Sequence, residues 1–334
     1  MRPLFAAAAL LALFFCEEPE HEPVRVGDIA AHSAFTDLVE FKGRTYCAFR
    51  EGEGHASGAE GKVRVLAQAE DSSWSSVALL ELANVDLRDP KLSVMPDGRM
   101  MMLCGGSYYT DGVLQKMRTQ VSFYSATSNT FSAPRPVIID EEIRTERDWL
   151  WRVTWHKEVG YGVVYQSQGS ETVIHLLSTT DGVHYSNITR LPVEGSPNET
   201  TLRFAGDGRM VALVRREGDD HLAHIGVAKA PFQEWSFSPL PEAMGGPELT
   251  LLPDGQWLAA YRRYRPDGQR TALALIGLDG ALKEVYVAKS GGDTSYPGLL
   301  TRGEKLLMSY YSSHEEKTCV YLLTLDIPEL LSLR

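Results

Sequence analysis

A short phrase recurs along this chain and restricts what it can fold into. Residues 198–217 read NETTLRFAGDGRMVALVRRE, residues 246–264 read GPELTLLPDGQWLAAYRRY, and residues 89–107 read DPKLSVMPDGRMMMLCGGS. Each is an apolar strand, an Asp-Gly turn and a second apolar strand. Asp-Gly between alternating apolar residues is a strong hairpin signal, because such turns need positive φ. Looser copies surround Lys42-Gly43, Gly160 and Gly303. The six glycines, at 43, 98, 160, 208, 255 and 303, lie 47 to 62 residues apart. Hairpins repeating about every 50 residues predict an all-β chain, a six-bladed β-propeller of four-stranded antiparallel blades.

Polar turns closed by an aromatic fall 20 to 30 positions after most of these glycines. They are Asp71–Trp74, Ser125–Phe131, Ser178–Tyr185 and Pro231–Trp235. That spacing places each between the third and fourth strands of a blade, where Ser, Asp and Asn side chains bond their own backbone. No linker or composition shift divides residues 24–330, so one domain is expected. The strand-like ends Val24–Ile29 and Cys319–Leu325 are expected to close the ring together, because closure removes open edge strands.

The 334 residues carry 43% hydrophobic and 23% charged side chains, a globular composition. The formal net charge of −11 argues against a general nucleic-acid binder, which would show a basic face. The first sixteen residues, MRPLFAAAALLALFFC, form an apolar run that is short for a membrane span and suited to a signal peptide or lipoprotein signal. Export to the periplasm or cell exterior is the expectation, with Cys16 as the residue a lipid anchor would use. No other stretch is apolar enough to span a bilayer. Cys47, Cys104 and Cys319 lack metal-ligand spacing and read as small buried hydrophobes. Nothing in the sequence calls for a metal or an organic cofactor.

The chemistry is expected at one mouth of the ring. Seven residues past each glycine stand Arg50, Gly105, Ser167, Arg215, Arg262 and Tyr310. One arginine at a strand end is ordinarily a solvated surface group. Three at a shared offset converge in a propeller, and guanidiniums match a carboxylate. Arg88-Asp89-Pro90, Glu199 and Tyr296 begin the second, fourth and sixth hairpins, at the facing strand ends. A carboxylate beside a tyrosine makes the phenol a usable nucleophile by taking its proton.

These residues resemble the sialidase (neuraminidase) superfamily of six-bladed propellers over roughly residues 30 to 325. The resemblance rests on the order Arg50, Glu199, Arg215, Arg262, Tyr296 and on Asp-box-like turns, best kept at 179–185. It implies that Arg50, Arg215 and Arg262 bind the carboxylate of a terminal acidic sugar. It implies that Tyr296 attacks the anomeric carbon with Glu199 as its base, giving retention through a glycosyl-tyrosine. The family's acid is an Asp on a loop soon after the first arginine. Here that loop holds Glu51, Glu53, His55 and Glu60, so Asp89, Glu60 and His55 are the candidate acids, and Arg88 joins the substrate-binding set. The alternatives are a glycosidase for a different acidic sugar, a carbohydrate-binding propeller without turnover, and a scaffold propeller that binds a protein.

Overall fold

The computed structural model describes residues 21–55, 60–169 and 171–332; the apolar leader and Cys16 lie outside them. A first strand, β1 (Val24–Gly27), precedes five blades in chain order. Blade one is β2 (His32–Phe41), β3 (Arg44–Gly52), β4 (Lys62–Gln68) and β5 (Trp74–Leu80). Blade two is β6 (Val85–Val94), β7 (Met100–Thr110) and β8 (Val113–Ser125), with short β9 (Thr130–Phe131) and β10 (Arg135–Pro136) both paired to β8. Blade three is β11 (Ile138–Ile139), β12 (Asp148–His156), β13 (Val159–Gln168), β14 (Glu171–Thr179) and β15 (His184–Arg190).

Blade four is β16 (Pro197–Phe204), β17 (Met210–Arg216), β18 (His224–Ala228) and β19 (Trp235–Pro239). Blade five is β20 (Met244–Leu251), β21 (Trp257–Arg265), β22 (Gly268–Ile276) and β23 (Leu282–Val287). The sixth is β24 (Thr294–Arg302), β25 (Lys305–Ser312) and β26 (Cys319–Asp326), and β1 completes it by pairing antiparallel with β26. The chain ends therefore close the ring, as their apolar alternation predicts. A short helix, α1 (Ile327–Ser332), follows.

Hydrophobic burial is organised between blades. Among the described residues, apolar clusters bridge neighbouring blades, such as Val163, Leu176, Leu202 and Val214 between blades three and four, and one cluster gathers Trp149 and Trp151 of blade three with blades one and six. Each fully buried aliphatic side chain contributes about 1.5–3 kcal/mol. Cys47, Cys104 and Cys319 are buried free thiols within this packing. The first strands β2, β6, β12, β16, β20 and β24 contact one another in a ring around the axis. A buried ionic plug fills the channel: Arg152 pairs with Asp37 at 2.9 Å and with Glu248, and Arg203 pairs with Glu248 as well.

The Asp-Gly hairpins use less positive φ than expected. Only the glycines adopt it, at 80° for Gly98, 84° for Gly208 and 87° for Gly255. The aspartates keep ordinary dihedrals and cap the turn with their side chains, as Asp97 Oδ1 does for the Arg99 amide at 3.0 Å. In blade three the expected phase is wrong. His156 pairs with Val159, so Lys157 and Glu158 make the turn and Gly160 lies inside β13. A Cβ on Gly160 would come within 2.9 Å of Val153 Cγ1. That glycine answers to packing, so counting from it misplaces the blade's inner end.

The turn at 179–185 is closed as its composition suggests. Asp181 Oδ1 accepts the Val183 and His184 amides at 2.7 and 2.8 Å, and the Tyr185 hydroxyl donates to the Gly182 carbonyl at 3.1 Å.

Candidate active site

The mouth is built from one irregularity repeated six times. Every inner strand breaks register against its neighbour at the same level: between Ala34 and Asp37, Arg88 and Lys91, Leu150 and Val153, Pro197 and Thr200, Gly245 and Glu248, and Ser295 and Gly298. A bulge leaves extra residues unpaired and re-aims their side chains. The extra pairs are Phe35-Thr36, Asp89-Pro90, Trp151-Arg152, Asn198-Glu199, Gly246-Pro247 and Tyr296-Pro297. Proline suits such a site because it has no amide to pair. Asp89 and Tyr296 thus take the first place of the bulge in their blades and Glu199 the second place in its own, and the bulges of the other blades supply Phe35, Trp151 and the bare backbone of Gly246.

Tyr296 and Glu199 meet directly. The phenol donates to Glu199 Oε1 at 2.7 Å, while Glu199 Oε2 accepts Arg215 Nη1 at 2.8 Å and the Gly246 amide at 2.7 Å. Arg215 Nη1 also donates to the phenol oxygen at 3.1 Å, and its other terminal nitrogen pairs with Glu217. The Arg262 guanidinium stands 5.1 Å from the centre of the Tyr296 ring. It donates to the Thr294 carbonyl at 2.8 Å and to the Tyr311 hydroxyl. Phe35 and Trp151 hold the Tyr296 ring edge-on, at 5.0 and 5.9 Å between centroids. The tyrosine sits at φ 48° after Ser295 at 104°, two non-glycine residues in a sparsely populated region.

The electrostatics give the groups different states. Burial and the Glu199 charge push the Tyr296 phenol well above its ordinary pKa, against the pull of Arg215 and Arg262, so it is neutral until a base takes its proton. Burial also pushes Glu199 up, but Arg215's charge and the bonds from Arg215, Tyr296 and Gly246 outweigh it and hold the carboxyl below its usual value. Asp89 moves the other way. It is 5% exposed, its Oδ1 has no hydrogen-bond partner, and burial together with the Glu199 charge raises its pKa against Arg88, Lys91 and Arg50. Two nearby carboxyls are driven apart, one towards a base and one towards an acid.

The remaining residues read from the sequence fall in distinct places. Arg88 stands 5.2 Å over the Phe35 ring, beside Asp89. Arg50 is fully buried, with Nε on Asp86 Oδ1 and Nη1 on the Gly54 carbonyl, both at 2.8 Å; it stands behind the mouth and presents no surface to a ligand. Glu60 is exposed and accepts the Asn84 amide at 3.0 Å, which ties a loop. His55 lies edge-on to Phe35 at 5.0 Å and bonds Asp293 at 3.1 Å.

The ladders also correct the offset of seven residues. The level of Arg50 and Arg262 is held by Gly105, Val164, Arg216 and Tyr311 in the other blades. Arg215 instead lies opposite the Asn198-Glu199 bulge, and Tyr311, not Tyr310, reaches Arg262. Phe35, Trp151, Tyr311, Asp86 and Asp293 carry no signal in one sequence, because each is defined by a partner from another blade. A cavity of about 270 Å³ opens beside the dyad, lined by Arg215, Glu217, His221, Met244 and Tyr264.

No protein-family model and no curated protein sequence matches this chain. Solved structures do resemble it. A protein of unknown function from Dyadobacter fermentans is 17% identical with a TM-score of 0.79, covering 92% of this chain and 98% of its own. A Trypanosoma rangeli sialidase in complex with the inhibitor DANA is 10% identical with a TM-score of 0.69; the match covers 94% of this chain and 59% of the sialidase. An α-L-arabinofuranosidase from Fusarium graminearum in complex with an iminosugar inhibitor is 13% identical with a TM-score of 0.68, covering 93% and 99%. At these identities the likeness establishes the fold alone, a six-bladed propeller.

Proposed function

Starting from a propeller whose structural neighbours include sialidases and an arabinofuranosidase, we propose that this chain is an exported, retaining exo-glycosidase for a terminal acidic sugar, of the sialidase type. One observation carries the reading: a neutral, buried tyrosine bonded at 2.7 Å to an ionised glutamate, with Arg215 on the phenol oxygen and Arg262 over the ring.

In the first step the Tyr296 oxygen attacks the anomeric carbon and Glu199 takes the phenol proton. The bond to the leaving-group oxygen breaks, and Asp89 protonates that oxygen. In the second step water attacks the glycosyl-tyrosine, Asp89 takes the water's proton, and Glu199 returns the phenol proton as the tyrosine leaves. Two displacements give retention. A neutral nucleophile suits an anomeric carbon bearing a carboxylate, which would repel an anionic one. Arg215, Arg262 and Arg88 are the cations that meet the carboxylate, and Arg50 acts behind them by orienting the loop at Gly54. The 270 Å³ cavity next to Arg215 has room for part of one sugar ring and its substituents.

The test is fluorophore release from a fluorogenic sialoside by the mature protein, with Tyr296→Phe beside it. Turnover that disappears in the variant while binding of an unsaturated sialic acid analogue persists supports this chemistry. Equal turnover by both proteins would remove Tyr296 as nucleophile. Turnover confined to glycosides of another acidic sugar would keep the mechanism and change the substrate.

A further inference from the structure

Outside the dyad, three metal-ligating side chains converge at the rim of the same mouth. His32 opens β2, His55 lies on the loop after β3, and Asp293 precedes β24. Their donor atoms all lie within 4.8 Å of one another. His32 Nε2 is 2.7 Å from Asp293 Oδ2, and His55 Nδ1 is 3.1 Å from Asp293 Oδ1. An ion about 2.0–2.2 Å from each donor needs donors separated by roughly 3–3.6 Å, so small side-chain rotations suffice. We propose that His32, His55 and Asp293 form a binding site for a divalent metal ion, and that the donor set selects Zn²⁺.

The chemistry of the donors favours this. Two imidazoles and one carboxylate suit a borderline ion such as zinc, whereas calcium and magnesium prefer oxygen-only sets. The carboxylate is already oriented, because the Thr318 hydroxyl donates to Asp293 Oδ2 at 3.1 Å and the Asp293 amide donates to the Ser313 hydroxyl at 3.2 Å. Such outer-shell bonds hold ligands in place in metal sites. Exposure rises from His32 to Asp293 to His55, with side chains at 9%, 31% and 45%. The fourth position therefore opens outward, where water or a ligand oxygen completes a tetrahedron.

The site would also act on the mouth. Its ligands come from the loop after β3 and from blades one and six. A bound ion would hold His55 against Phe35, the ring that packs on Tyr296. This claim stands apart from the glycosidase reading, since it concerns metal uptake.

The experiment uses full-length mature protein, purified without a histidine tag and stripped with chelator. Equilibrium dialysis against Zn²⁺ at neutral pH, read by elemental analysis, should give one zinc per chain. His55→Ala, on an exposed loop, should lose that zinc while its metal-free melting temperature matches wild type. Thr318→Ala should weaken zinc binding by about tenfold or more. Substitution with Co²⁺ should give the visible absorption of a tetrahedral nitrogen- and oxygen-ligated ion. Wild type that takes up no zinc, or uptake equal in wild type and His55→Ala, would overturn the proposal.

Discussion

Asp89 and Glu199 are both carboxyls at inner-strand bulges, yet their surroundings send them in opposite directions. Glu199 accepts three hydrogen bonds, one from a guanidinium, and Asp89 leaves one oxygen without any. Two pH limbs follow. Activity needs Glu199 ionised, so the acid limb should lie below the range of an ordinary glutamate. Activity needs Asp89 protonated, so the alkaline limb should lie above the range of an ordinary aspartate. Asp89→Asn should lower kcat by about 10²–10⁴ and remove the alkaline limb, which a pH-rate profile reads. The same change should raise the melting temperature at neutral pH, because a carboxyl with a raised folded pKa costs stability once ionised and the amide carries no charge. Arg262→Ala should weaken binding of an unsaturated sialic acid analogue by roughly 10- to 100-fold, the worth of a charge-assisted contact, while the fold survives; calorimetric titration measures it. Unchanged affinity would sink the role given to Arg262. Tyr296, Glu199 and Arg215 were legible as residues, since their types and order are unusual. That Arg50 is held by Asp86 was not, because an ion pair 36 residues apart leaves no local mark.

At the level of elements, the inner-strand bulge is the device that makes the site. Gly246 shows how tightly it is fitted. Its φ is +56°, and a Cβ there would stand 2.6 Å from Tyr296 Cγ, while its amide bonds Glu199. Gly246→Ala should therefore displace both members of the dyad. A left-handed non-glycine residue costs of order 1–3 kcal/mol. The expected result is a variant that folds, melts a few degrees lower and loses most of its kcat, checked by thermal unfolding beside steady-state kinetics. Wild-type kcat would show that the dyad does not depend on this bulge. The hairpins themselves were readable from Asp-Gly spacing, because a turn is a local energy problem solved by neighbouring residues. The bulges were not, because a register break depends on both strands of a pair. Counting seven residues from each glycine therefore landed on Arg262 and missed Tyr311.

The whole ring depends on its closure. β1 covers the outer edge of β26, with Val24 opposite Leu322 and Arg25 opposite Tyr321. Removing residues up to Gly27 would expose a strand edge, which pairs readily with another chain. The truncated protein should melt lower and associate at high concentration, as light scattering would detect; a monomer of unchanged stability would make β1 dispensable. Acid should also loosen the ring. Glu199 and Asp181 both have folded pKa values below their unfolded ones. Their contribution is fully present above the unfolded carboxyl pKa of about 4 and is lost as pH falls through the folded values. In the Asp89→Asn variant, which lacks the opposing titration of Asp89, melting temperature should hold from neutral pH to about pH 5 and drop below it.

By itself the sequence determined the repeat, the blade count, the closing strands and a short set of reactive residue types. These follow from hydrophobic alternation and turn chemistry, which act between residues close in the chain. Only the tertiary structure decided which of those residues face one another. It placed Arg50 behind the mouth and Glu60 outside it, gave Asp89 its acidic environment, and joined His32, His55 and Asp293 from three distant segments. The physical reason is that desolvation, ion pairing and metal-ligand geometry depend on distance in space, and in a propeller that distance is set by the ring.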